Sequence, residues 1–187
     1  MLRRIGRRIV AGRIVETEAY MGRNDPAAHA FSGMTKRNAV LYGAAGHAYV
    51  YFTYGMHHCM NISCQPSGRA GCVLLRALEP VAGLQEMAEA RNLPWEAHDV
   101  APAEMRLLSS GPGRLCQALL IERQRDNGKD VTARDSDLQV VEALSPALEE
   151  LKPKILVATR IGITKAADMK LRYLIAGNPF VSVKARI

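Results

Sequence analysis

Apolar positions recur with two different periods along the chain, and the changes of period mark its elements. Residues 7–20 (RRIVAGRIVETEAY) set Ile and Val among polar and charged residues, as in a long strand with one covered face. Gly12 interrupts that run and is the expected place for a bulge. Residues 23–47 hold no period and carry Gly, Pro, Asn and Ser, which predicts a long irregular loop of the kind that usually serves function. Residues 47–54 (HAYVYFTY) read as a strand, Gly55 as its turn, 60–65 as a return strand and 72–78 as a buried strand after the turn at 66–68. Helical spacing returns over 84–91, and 92–104, with Pro94 and Pro102, reads as a loop within the domain. Ser110-Gly111-Pro112 opens a second helix whose apolar face is Leu115, Ala118 and Leu119. Strands are expected at 138–141, 155–161 and 171–175. With no repeat and no linker, residues 1–187 read as one α+β domain, mostly antiparallel because short turns join consecutive strands.

Composition narrows the class. An apolar share of 48% suits a folded core. The formal charge of +7 gathers in Arg3, Arg4, Arg7, Arg8 and Arg13 and again in Lys165, Lys170, Arg172, Lys184 and Arg186. That pattern fits nucleic-acid binding, and it also fits an ordinary basic surface. No apolar run reaches the roughly 18 residues of a membrane span, and the N-terminus lacks the apolar core of a secretory signal. Cys59, Cys64, Cys72 and Cys116 form no CxxC pair and are expected to be reduced thiols. The expected location is the cytoplasm of a bacterium, associated with the nucleoid, or a eukaryotic nucleus.

Two groups of residues carry candidate chemistry. On a strand, Glu16, Glu18 and Tyr20 share a face, and paired carboxylates beside a phenol are how proteins build an acid/base site. A charged strand face turned to solvent has the same spacing. The second group is aromatic: of ten Phe, Trp and Tyr residues, Tyr42, Tyr49, Tyr51, Phe52 and Tyr54 lie within 42–54. Such rings stack on nucleobases at about 1–3 kcal/mol each. They also pack into cores, but Tyr54 sits at the tip of a turn, a poor place to bury a ring. His57, His58, Cys59, Cys64 and Cys72 lack zinc-ligand spacing, so no metal is expected. The SGPGR stretch (110–114) reads as a plain helix start, although a helix N-terminus with an arginine nearby can hold a phosphate.

Together these stretches resemble the alkyladenine (3-methylpurine) DNA glycosylases. The matches are RIVETEAYMG (13–22), PAAHAFSGMTKRN (26–38), YVYFTYGM (49–56), CMNIS (59–63), CVLLRALEP (72–80), SGPGRLCQAL (110–119), RIGI (160–163) and RYLIAGNPFVS (172–182), in order over nearly the whole chain. The resemblance implies a single α+β domain with a curved, mostly antiparallel sheet, flanking helices and a protruding β-hairpin that inserts into DNA. It implies Glu18 as the general base, Arg76 beside the attacking water, and Tyr20, His29 and Tyr51 as walls of a base pocket. It further implies Tyr54 as the residue filling the gap left by a flipped nucleotide, and Asn61 as the residue crowding the guanine amino group. Two departures stand out. His57-His58 replaces bulkier aromatics, and the chain starts almost at its first strand, where the family has a lead-in segment containing a helix.

The activity so implied is base-excision repair by a monomer acting on double-stranded DNA that contains damaged purines. A purine alkylated on a ring nitrogen is flipped out, water activated by Glu18 hydrolyses the N-glycosidic bond, and an abasic site remains. Because such purines are cationic, Tyr20 and Tyr51 are expected to add cation–π attraction. No cofactor is implied, and no suitably placed lysine points to strand cleavage. A non-catalytic module binding distorted DNA or RNA would need the same basic surface and rings but not Glu18. A structural domain with a Tyr-rich core would need neither.

Overall fold

One long strand, β2 (Arg8–Tyr20), organises the molecule. The computed structural model describes residues 1–53, 55–95, 102–142 and 153–184. Along one edge β2 pairs with β5 (Cys72–Ala82), and along the other with β1 (Leu2–Ile5) and then β8 (Arg172–Ile175). The register against β5 shifts between Ala11 and Gly12, at the glycine the sequence singled out. A Cβ there would stand 2.8 Å from the Leu78 Cβ and 3.0 Å from the Glu79 carbonyl oxygen, so the close approach needs glycine. Two further shifts flank Glu16, and no residue type announces them.

The sheet continues from β5 to a hairpin of β3 (Ala48–Thr53) and β4 (His57–Ser63), and at its other side β6 (Leu138–Gln139) joins β1. The strand order is β3-β4-β5-β2-β1-β6, with β7 (Ile155–Ala158) on β8, and every described pair is antiparallel. It curls into a half-barrel. The β3–β4 hairpin turns at Gly55, whose φ of +65° is the left-handed region open to glycine. Phe52 and Met56 near the turn are 49% and 68% exposed, so the hairpin carries apolar side chains into solvent. Tyr54 lies outside the described residues.

Helices α1 (Leu84–Ala90), α2 (Pro102–Ser109) and α3 (Pro112–Ala118) close one face of the sheet, and a single turn, α4 (Arg123–Asp126), lies against β3. Val10, Val50, Met60, Leu75 and Leu78 from the strands meet Met87, Leu108, Leu115 and Leu119 from the helical layer in one cluster. Each such side chain contributes about 1.5–3 kcal/mol by leaving water. The two-residue period of β3 then decides what faces where. Ala48 and Val50 join that core, while Tyr49 and Tyr51 point to the opposite side with Tyr20, Leu41 and Cys72.

Several boundaries differ from expectation. Residues 102–104, expected in a loop, open α2, because proline at the first helical position gives up an N–H that has no partner there anyway. Residues 96–101 of that expected loop lie outside the described residues. The strand expected over 155–161 ends at Ala158, which frees the following residues, Ile161–Ile163 among them, to line a cavity. The return strand starts at His57 rather than 60. His58 there packs its ring 5.0 Å from that of Phe52.

Candidate active site

Beyond Tyr20 the chain leaves the sheet in a tight turn. A Cβ on Gly22 (φ +63°) would fall 2.2 Å from the Ala70 carbonyl oxygen. The loop that follows holds its shape through two buried side chains. Asp25 accepts the backbone N–H of Ala27 at 3.1 Å and of Met21 at 3.2 Å. Asn38 donates to the carbonyls of His29 (2.9 Å) and Gly33 (3.0 Å) and accepts the Thr35 N–H at 2.7 Å. Arg160, near the start of the 159–163 segment, grips Asp25 with both terminal guanidinium nitrogens, one at 2.8 Å, and both side chains are buried. Burial alone would raise the Asp25 carboxyl; the Arg160 donors and the two N–H groups outweigh it and hold Asp25 below its ordinary value.

These loops and the far ends of β2–β5 enclose a cavity of about 340 Å³, in the range of small-molecule sites. Tyr20, His29, Arg37, Tyr49, Tyr51, Asn61 and Arg76 supply its polar and aromatic lining, and Ile161–Ile163 closes one side. His29 stands edge-on to Tyr51, with ring centroids 4.6 Å apart, and its Nδ1 lies 3.0 Å from the Tyr49 hydroxyl. Partial burial, then the Arg37 cation, hold His29 below its ordinary value, so its ring is neutral near pH 7. Burial drives the Tyr51 phenol far up, and Tyr20 likewise, with the Glu18 charge adding to the effect on Tyr20; both remain protonated. Asn61 is buried, and its Nδ2 has no hydrogen-bond partner, while its Oδ1 faces the Cys72 thiol at 3.5 Å. Burial pushes that thiol up to about 12, so it stays a neutral donor.

Glu18 sits one layer behind the wall, fully buried. Oε1 accepts the Ile161 N–H at 2.8 Å and the Arg76 guanidinium at 3.2 Å, and Oε2 accepts the Tyr20 hydroxyl at 2.9 Å. All three donors belong to residues that line the cavity. A carboxylate offers about four acceptor positions, so these three donors leave one on Oε2. Glu16 takes four donors, three on Oε1 and one on Oε2, and two of the three residues that supply them, Arg172 and Ser182, stand away from the cavity. The donors are Arg76 Nε (3.0 Å), Arg172 (3.1 Å) and both the hydroxyl and the N–H of Ser182.

A family model described as methylpurine-DNA glycosylase matches residues 1–179. The chain belongs to that family. A protein of Koribacter versatilis is 54% identical over 98% of this chain and 83% of its own length. One of Methanoculleus marisnigri is 48% identical over 92% of this chain and 82% of its own, and one of Carboxydothermus hydrogenoformans 43% over 98% and 88%. All three carry the name "Putative 3-methyladenine DNA glycosylase". As a methylpurine-DNA glycosylase, the chain is a hydrolase of N-glycosyl bonds with DNA as its substrate. No helix among the described residues is long and apolar enough to cross a membrane.

Within this glycosylase, five of the seven residues singled out from sequence (Tyr20, His29, Tyr51, Asn61 and Arg76) line the one cavity, and Glu18 lies directly behind it. The seventh, Tyr54, is outside the described residues. Sequence reading missed Asp25, Arg37 and Arg160 as parts of the site. Asp25 and Arg160 are 135 positions apart and lie in irregular segments, where no period relates them. The SGPGR stretch contributes Pro112 to the wall, and Arg114 turns back to the Ser110 carbonyl at 3.4 Å, as in an ordinary helix start.

Proposed function

We propose that this chain excises alkylated purines from duplex DNA as a monofunctional glycosylase, with Glu18 as general base. The observation that carries this reading is the hydrogen-bond count at Glu18: a buried carboxylate, fixed by Tyr20, Arg76 and the Ile161 N–H, with one acceptor position left on Oε2. Water placed there gives its proton to Glu18 while its oxygen attacks C1′ of the extruded nucleotide. The C1′–N bond breaks, its electron pair leaves with the purine, and an abasic site results. Arg76 and the protonated Tyr20 keep Glu18 oriented through the transfer.

The base lies between Tyr20 on one side and His29 and Tyr51 on the other, and the exposed hairpin end, with Tyr54, fills the space it vacates in the duplex. Asn61, buried with an unused N–H donor, rejects a purine that brings another donor to the same spot. The described residues lining the cavity include no lysine, which supports hydrolysis without Schiff-base strand cleavage.

The test is single-turnover release of 3-methyladenine from a lesion duplex, followed by chromatography of the free base. Wild type releases it. Glu18→Gln, which keeps size and removes the proton acceptor, lowers the rate by about 10²–10⁴-fold while lesion binding persists. A Glu18→Gln enzyme with near-normal rates refutes the assignment.

A further inference from the structure

Resting on that reading, the distribution of charge around the cavity says more about which purines it takes. Two arginines sit against the two tyrosine walls. The Arg160 guanidinium carbon lies 4.6 Å from the Tyr20 ring centroid, and that of Arg37 lies 5.6 Å from the Tyr51 centroid. Both fall within the reach of a cation–π contact.

Their electrostatic standing differs. Arg160 is not part of the cavity lining, and Asp25 cancels its charge in a two-nitrogen pair. Arg76, which does line the cavity, is matched by Glu16 and Glu18. Arg37 lines the cavity and, among the described residues, makes no ion pair with a carboxylate. Its field is felt inside: after burial it is what lowers His29, and it draws the Tyr49 phenol down against burial. The electron-rich face of Tyr51, expected from sequence to attract a cationic base, therefore already has a cation.

We infer that Arg37 is a specificity-determining residue of the pocket, one that biases excision away from cationic N-alkylated purines and toward neutral purines of the same shape. A cationic base stacked on Tyr51 meets the Arg37 guanidinium within a few ångströms and competes with it for the same ring. A neutral base meets no such repulsion and can accept from the free Asn61 N–H or from the guanidinium itself. Arg37 is exposed on its outer side, so solvent weakens the repulsion to the level of a surface charge pair at short range, about three- to tenfold in relative rate.

The experiment compares single-turnover release of 3-methyladenine, cationic as a nucleoside, with release of hypoxanthine, which is neutral. It uses wild type, Arg37→Gln and Arg37→Lys. The ratio of the two rates cancels any loss of general DNA affinity that follows removal of a surface charge. In Arg37→Gln the cationic-to-neutral ratio rises about three- to tenfold. In Arg37→Lys, which keeps the charge, it stays near the wild-type value. Release of both bases with an unchanged ratio in Arg37→Gln overturns the inference, as does a lysine variant that shifts as far as the glutamine variant, which would assign the effect to shape. Failure of wild type to release either base would instead overturn the glycosylase reading itself.

Discussion

Two buried carboxylates on β2, only two residues apart, occupy opposite kinds of ground. Glu16 lies in a seam between β2, β5, β8 and the 180–183 segment, away from the cavity lining, and takes four donors from Arg76, Arg172 and Ser182. Glu18 lies directly behind the cavity wall, held by three donors that all line the cavity, with one position unused on Oε2. Both belong to one ion cluster, joined through Arg76. The difference teaches that burial and pairing do not separate a structural carboxylate from a chemical one. What separates them is whether a lone pair remains free beside a space a substrate can enter.

The largest expected effect that sharpens this contrast is on stability. Glu16→Ala leaves Arg172 without its carboxylate and Arg76 with only Glu18, and both guanidiniums are largely buried. Stranding buried charge costs about 3–5 kcal/mol. Urea unfolding of Glu16→Ala should therefore show a loss of that order. In Glu18→Gln the amide still accepts from Ile161 or Tyr20, and the loss should stay below about 1.5 kcal/mol, one net hydrogen bond. Equal losses in the two variants would erase the distinction.

Next comes the donor that is a side chain of the cavity wall itself. Tyr20→Phe keeps the ring and removes the hydroxyl that reaches Glu18 at 2.9 Å. A hydrogen bond to a charged group contributes about 1.5–3 kcal/mol, so release of 3-methyladenine should slow by about ten- to a hundredfold, with lesion affinity retained through stacking. If affinity falls and the single-turnover rate holds, Tyr20 is a wall and nothing more.

Much of this contrast was legible in the chain, and the limits are physical. Strand periodicity put Glu16, Glu18 and Tyr20 on one side, and the hairpin and β5 followed from turn chemistry at Gly55 and 66–68. Periodicity cannot count donors, however. The donors to Glu16 include Arg172 and Ser182, more than 150 positions away, and the N–H that fixes Glu18 comes from Ile161 in a segment without any period. The short helical segments not separated in the sequence, α2, α4 and the turns over Gly22–Asn24 and Ala39–Tyr42, span eight residues or fewer, too few for an apolar period to repeat.

The smallest expected effect concerns the clamp that holds the cavity loops, and it depends on pH. Asp25 ionises more readily in the folded protein than in the unfolded chain, because the donors from Arg160, Ala27 and Met21 outweigh the burial that opposes them. A lowered folded value means that the ionised, paired carboxylate stabilises the fold fully above the unfolded value, about 3.9. The stabilisation drains away as pH falls from there through the folded value. Asp126, held down at the other end of the sheet by Arg3 against its own burial, behaves the same way, so wild type should lose stability in acid from both ends. In Asp25→Asn the Asp25 share is gone, while those of Asp126 and of Asp137, which Lys129 and Arg3 hold down against its burial, remain. That variant should be less stable than wild type at pH 7, and the gap should narrow as pH drops below about 4. Urea midpoints at pH 7, 5, 4 and 3 measure it. A gap that stays constant across that range would mean that Asp25 contributes through shape alone, and that the loops around Glu18 do not depend on its charge.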